Sequence, residues 1–272
     1  MANRVVQSGS PKLIFPCTQI LRAAVCRAAV GTAILVVGPI TLGAAQDGPG
    51  DLEKIIGETV PCVDGRAGIF ECGNVDLVSF LPVRDLGGGS GIGTNDVWGW
   101  TDEENGRDYA IVGLHDRTSF VDVTDVHEPI WLGSLERTDG TRRTLWRDIK
   151  VHGNFAYIVS DSSGRHGVQV FNLTELRAFD GIPIKFEEFS RYDGIASAHN
   201  IVINKQHPFA YIVGANGAGE TCGGGLHILN IEDPRDPVFV GCFSDTRSGR
   251  ARTGYSHDAM CITYRGPHGA YL

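Results

Sequence analysis

A short polar-then-apolar signature recurs along this chain at nearly constant spacing, and it limits the available folds more than any other feature. It reads Asn95-Asp96-Val97, Arg147-Asp148-Ile149, His199-Asn200-Ile201 and His257-Asp258-Ala259. Successive copies stand 52, 52 and 58 residues apart. After the first three copies, strand-like runs follow in the same order. The second runs are Tyr109–Gly113, Phe155–Val159 and Phe209–Val213, and the third are Phe120–Val123, Val170–Leu173 and Ile228–Ile231. In two repeats a proline opens a fourth run, Pro129–Gly133 and Pro237–Gly241. Runs of β-branched and aromatic residues between turn formers read as strands. Four of them at a period of about 50 predict an all-β fold, the β-propeller of four-stranded blades. The chain supplies about three blades plus partial flanking ones. Asn74–Pro82 reads as an orphan fourth strand that completes the last blade and closes the ring. Residues 83–94, with Gly87-Gly88-Gly89, read as a loop, because no strand and helix flank these glycines as a phosphate cradle requires.

The first 45 residues have a different composition. Arg4, Lys12, Arg22 and Arg27 are their only charges, an apolar stretch runs from Ala28 to Leu42, and Gly43-Ala44-Ala45 follows. This reads as a secretory signal cleaved near Ala45–Gln46, with an uncleaved signal anchor as the competing reading. Residues 46–94 then form an N-terminal segment and residues 95–272 the repeats. Loss of four basic residues takes the net charge from −8 to −12. A surface that acidic repels phosphate backbones and argues against nucleic acid as a partner. Five cysteines follow the leader, and export favours disulfides over metal ligation. Cys62 and Cys72 bracket a short loop, Cys222 and Cys242 flank two strands of one repeat, and Cys261 is left over.

Aligning the repeats gives three polar columns. Asp96, Asp148, Asn200 and Asp258 form a near-uniform one, which predicts a structural role, a short side chain bonding turn backbone at each blade. Asn95, Arg147, His199 and His257 form a variable one. Neighbouring strand residues face opposite ways, so this column has its own environment. If it faces the channel mouth, Arg147, His199 and His257 surround one small anion or metal, with His199, His257 and Asp258 as the metal donors. Each could equally satisfy a local loop bond. The third column is Asp122, Asn172 and Asn230; Asn172 also begins a glycosylation sequon, but its column predicts a structural role. The Asp-rich turns at 122–125 and 233–236 read as Ca²⁺ sites or as plain Asx-turns before proline. Trp98, Trp100, Trp131 and Trp146 read as packing between blades or as lining a carbohydrate surface, with core packing the leading expectation.

Longer motifs carry a resemblance. Asn95 to Asp102, Ser119 to Asp125, Trp146 to Val151, Ala198 to Ile203, Cys222 to His227 and Ser256 to Ala259 are similar to secreted proteins of the choice-of-anchor B family, built of LVIVD-type propeller repeats. The resemblance covers roughly residues 60–272. It implies an exported propeller, often held at the cell surface by a C-terminal anchor. It also implies that the chain is C-terminally truncated, and that a cysteine further on pairs with Cys261. The family brings no established activity with it.

The sequence holds no nucleophile elbow, HExxH motif or phosphate loop. The leading expectation is therefore an extracellular or cell-surface binding module that engages a protein or carbohydrate through loops on one ring face. The alternative is a metal-dependent enzyme at the channel mouth, and a third reading is a purely structural surface protein. Membrane contact is expected only through a signal anchor or a missing C-terminal anchor. N-terminal sequencing of the exported protein should begin near Gln46; a retained Met1 would indicate the anchor instead.

Overall fold

The computed structural model describes residues 52–249, 252–262, 264–266 and 269–271. The segment read as a leader, residues 1–45, lies outside them. The described chain is all-β, with three short 3-10 turns at Val83–Leu86, Leu173–Ala178 and Cys222–Gly224. Among the described residues no helix is long and apolar enough to cross a membrane.

Two short strands come first, β1 (Arg66–Ala67) and β2 (Phe70–Glu71), as a hairpin inside the loop that the Cys62–Cys72 disulfide closes. Three antiparallel meanders follow. The first contains β3 (Thr94–Asp102), β4 (Arg107–Leu114), β5 (Arg117–Asp122) and β6 (Ile130–Glu136). The second contains β7 (Arg147–His152), β8 (Phe155–Ser160) and β9 (Val168–Asn172). The chain then leaves the second sheet. Its next strand, β10 (Ile184–Phe186), pairs in parallel with β6, and only afterwards does β11 (Ser190–Tyr192) return to pair with β9. The proline of the second repeat, Pro183, thus leads a strand that joins the first sheet, and the second sheet is completed by β11 instead. The third meander is β12 (Asn200–Ile203), β13 (Phe209–Val213), β14 (Leu226–Asn230) and β15 (Val238–Phe243). The Cys222–Cys242 disulfide ties the turn before β14 to β15, as the spacing suggested. A last hairpin joins β16 (Tyr264–Gly266) to β17 (Gly269–Tyr271).

The middle sheet shows why the repeats read as nearly continuous apolar runs. Its strand β8 sends Ala156 and Ile158 to one face and Tyr157 and Val159 to the other. On the first face they meet Ile111, Phe120, Leu132 and Leu135 of the first meander, together with Phe171 and Phe186. On the second they meet Ile201, Ala210, Ile212 and Leu229 of the third. Strand side chains alternate between faces, so a sheet buried on both sides needs apolar residues at consecutive positions. Phe120, Phe171 and Phe186 form a mutual cluster with ring centroids 4.5–5.4 Å apart. A buried aromatic group of this kind joins three different strands by area and ring geometry.

The N-terminal segment caps the first meander. Val83 and Leu86 pack with Leu114, Val121 and Trp131 on the face turned away from the second sheet. Leu77 and Phe80, in the segment read as a ring-closing strand, make isolated bridges to Val60 and Ile55.

The third polar column does what its composition suggests. Asp122, Asn172 and Asn230 each accept a hydrogen bond from the backbone N–H two residues on. Asn172 also accepts from the Thr174 hydroxyl, which builds the sequon into the start of a 3-10 turn. Asp125 and Asp233 likewise accept from the N–H groups of His127 and Arg235, so these turns are Asx-turns.

Gly133 is the backbone pivot of the β6–β10 pairing. It sits at a bulge opposite Phe120 and Val121, with φ of 139°. A Cβ there would stand 1.9 Å from the Ile184 carbonyl oxygen. Gly133→Ala should cost at least about 2 kcal/mol in urea unfolding. Gly140→Ala, at positive φ but in open space, should cost only about 1 kcal/mol.

Candidate functional site

The edge strands β3, β7 and β12 of the three sheets lie side by side, and the near-uniform column joins them. The Asp96 carboxylate accepts from the Ile149 N–H at 2.9 Å, and the Asp148 carboxylate accepts from the Ile201 N–H at 2.7 Å. The Asn200 side chain donates to the His257 carbonyl at 3.0 Å. Asp96, Asp148 and Asn200 thus bond backbone groups of the next repeat, not only turns of their own. Asp258 bonds the neighbouring Ala259 N–H at 2.8 Å.

These residues also line a cavity of about 850 Å³ along the edge strands, with Trp98, Lys150 and Met260 among its other walls. Lys150 pairs with Asp148 and lies 4.5 Å above the Trp98 ring. Burial, with the Asp148 carboxylate close by, pushes the Asp96 carboxyl up to about 6.

The variable column divides in two. Arg147 does not reach a channel mouth. It is 2% exposed and donates through Nε to the Leu114 carbonyl, while Nη1 lies 3.2 Å from His166 Nε2. Burial lowers the guanidinium to about 10, and burial with Arg147 alongside holds the His166 imidazole down at about 3. His166 is thus neutral, donating from Nδ1 to the Gly167 carbonyl and accepting from Arg147 at Nε2. Arg147 is therefore a buried fastener between meanders and no ligand for a surface anion. Asn95 serves the same junction by donating to the Arg147 carbonyl at 2.7 Å.

His199 and His257 do converge. Their Nε2 atoms are 2.9 Å apart, with ring centroids at 4.3 Å. His199 Nδ1 lies 3.0 Å from the Asp161 carboxylate. The strand geometry explains the meeting. Arg147 pairs with Ser160 across β7 and β8, so the entry to β7 and the exit from β8 share one end of the sheet. His199 enters β12 at that same end, because Asp148 of β7 bonds Ile201 of β12. Asp161 and Trp146 thus flank His199 from the second repeat. The half-exposed Trp146 meets the His199 ring edge-on at 6.3 Å, so this tryptophan is not in the core. Trp100 and Trp131 are packed as predicted, and Trp98 is half-buried. Gly214, at φ 64°, lets the exit from β13 pass close to His199; a Cβ there would come within 2.7 Å of the His199 Cβ and 3.3 Å of Tyr255.

Asp258 does not join the histidine pair; it lines the cavity. Asp161 takes the carboxylate role instead. Sequence columns could not find it, since its equivalents after β4 and β13 are His115 and Ala215. Its only signal was an acid directly after a strand end. The one three-donor group among the described residues is Glu220, Cys222 and Cys242, whose sulfurs are bonded to each other. Cys261 is a free thiol at the cavity wall.

Compared with known proteins, the chain matches no family model and no curated protein.

The raised Asp96 carboxyl makes a signed prediction. Protonation of Asp96 favours the folded state, so its contribution is full below the ordinary value near 3.8 and is lost as pH rises through about 6. Asp96→Asn keeps an acceptor for the Ile149 N–H. In urea unfolding the variant should match wild type near pH 4 and exceed it at pH 7.

Proposed function

We propose that this protein is an exported β-propeller of LVIVD-type repeats, of the choice-of-anchor B kind, that works as a binding module. Its ligand, an extracellular protein or carbohydrate, docks on the end of the sheets where Asp161, His199 and His257 lie. Three successive sheets of four or five strands, with adjoining edge strands and one cavity along them, support the propeller reading. Two disulfides are typical of extracellular proteins and support export.

One observation carries the binding reading. At the loop end of the second and third repeats, Trp146 is half exposed beside the His199–His257 pair. An aromatic plate next to polar donors, held on loops by rigid sheets, is the composition of a recognition surface. The metal-dependent enzyme reading relied on Arg147 at the same mouth, and Arg147 is locked in the interior.

The test is binding of the disulfide-intact protein to arrays of extracellular glycans and proteins. A retained ligand should lose at least tenfold in affinity with Trp146→Ala and with His257→Ala. Phe239→Ser, on the exposed outer strand β15, should leave it unchanged. Turnover that vanishes with His199→Ala would overturn the reading, as would a ligand indifferent to Trp146 and His257.

A further inference from the structure

We infer that His199 and His257 form a binding site for one divalent transition-metal ion of the zinc or copper class, with Asp161 as the positioning residue behind it. The inference rests on the binding face proposed above and names the chemistry of that face.

The argument begins with Asp161. A carboxylate 3.0 Å from His199 Nδ1 accepts a hydrogen bond from it, so neutral His199 carries its proton on Nδ1. That leaves the Nε2 lone pair free, and it points at His257 Nε2, 2.9 Å away. Without an ion, the His257 ring fills this gap by donating its own Nε2 proton. With an ion, His257 takes the other tautomer, its proton on Nδ1, and the two rings turn so that both Nε2 lone pairs converge on one point beside the N–N line; the exposed His257 ring has room to do so. Two nitrogens each about 2.0–2.1 Å from one ion stand about 2.9 Å apart at the right angle of a tetragonal copper site and about 3.3 Å apart at zinc's tetrahedral angle. The observed separation matches the first and lies within about half an ångström of the second.

Donor type selects the ion. Two imidazoles suit zinc, copper and nickel, and they do not suit calcium, which takes six to eight oxygens. The Asp161–His199 bond is the outer-shell pattern that orients a metal-bound histidine and raises its basicity. The setting is accessible: the His199 side chain is partly buried against Trp146 and Asp161, whereas His257 is exposed. Two protein ligands leave the remaining coordination positions to water or to an oxygen donor of the docked ligand. An ion here would give an otherwise acidic protein a local positive charge on its recognition face.

The experiment uses tag-free, disulfide-intact protein. Zn²⁺ is titrated by calorimetry, and Cu²⁺ is read by electron paramagnetic resonance. The expected result is one ion per chain, with nitrogen hyperfine structure from two imidazoles. His257→Ala should weaken Zn²⁺ binding at least tenfold and leave a single-nitrogen Cu²⁺ signal. Asp161→Asn should weaken it by about tenfold while keeping both nitrogens, a result that loss of a ligand would not give. His127→Ala, at a half-exposed histidine elsewhere, should change nothing. Because His257 is exposed, its replacement leaves the core intact, and circular dichroism checks this. Zn²⁺ bound equally well by His257→Ala overturns the inference, and so does the absence of binding at about 100 μM, about a hundred-fold above a micromolar Kd. An ion bound by protein that retains no array ligand upholds this site and overturns the binding-module reading. A retained ligand with no ion bound does the reverse.

Discussion

The bond from a backbone N–H of one sheet's first strand to a carboxylate of the corresponding strand before it is the constraint on which this structure depends. These strands are sheet edges, and an edge strand presents N–H and C=O groups that need partners. Neighbouring edge strands here do not pair as a continuous ladder. Asp96 and Asp148 reach sideways to the Ile149 and Ile201 amides instead. A buried amide left unmet costs about 1–3 kcal/mol, and the same bond sets how closely adjacent sheets approach. The apolar contacts behind it, from Phe120 through Ile158 to Ile212, then fall into register.

Much of this organisation was legible in the sequence because it is periodic. The polar columns, the strand runs and the two disulfides each follow from spacing and residue type. What periodicity could not convey was depth. Arg147 and His199 occupy the same place in their repeats, yet Arg147 lies between two meanders with the neutral His166 as partner, and His199 stands at the surface. The difference is set by which side chains arrive from other repeats, and a column aligned on one strand does not contain them. Asp161 was hidden for the same reason. It matters only through its contact with His199, 38 residues away, and its counterparts have no common chemistry. Trp146 was assigned to the core by residue type, but it precedes its strand, where no neighbouring sheet covers it.

Alternation along a strand separates architecture from chemistry within two adjacent residues. Asn200 turns toward the next repeat and the cavity, while His199 turns toward the loops. The scaffold can hold one column nearly fixed and still vary the other at each repeat. Arginine, asparagine and histidine at equivalent positions in the second column show that variation within one molecule.

The detour of β10 changes how such a repeat protein comes apart. In a simple array each unit touches its neighbours only through side-chain contacts, and units can melt one at a time. Here a strand whose chain belongs to the second repeat is hydrogen-bonded into the sheet of the first. Neither sheet can lose its outer edge without disturbing the other. The first two repeats therefore form a single cooperative block whose amides should become exposed to solvent together.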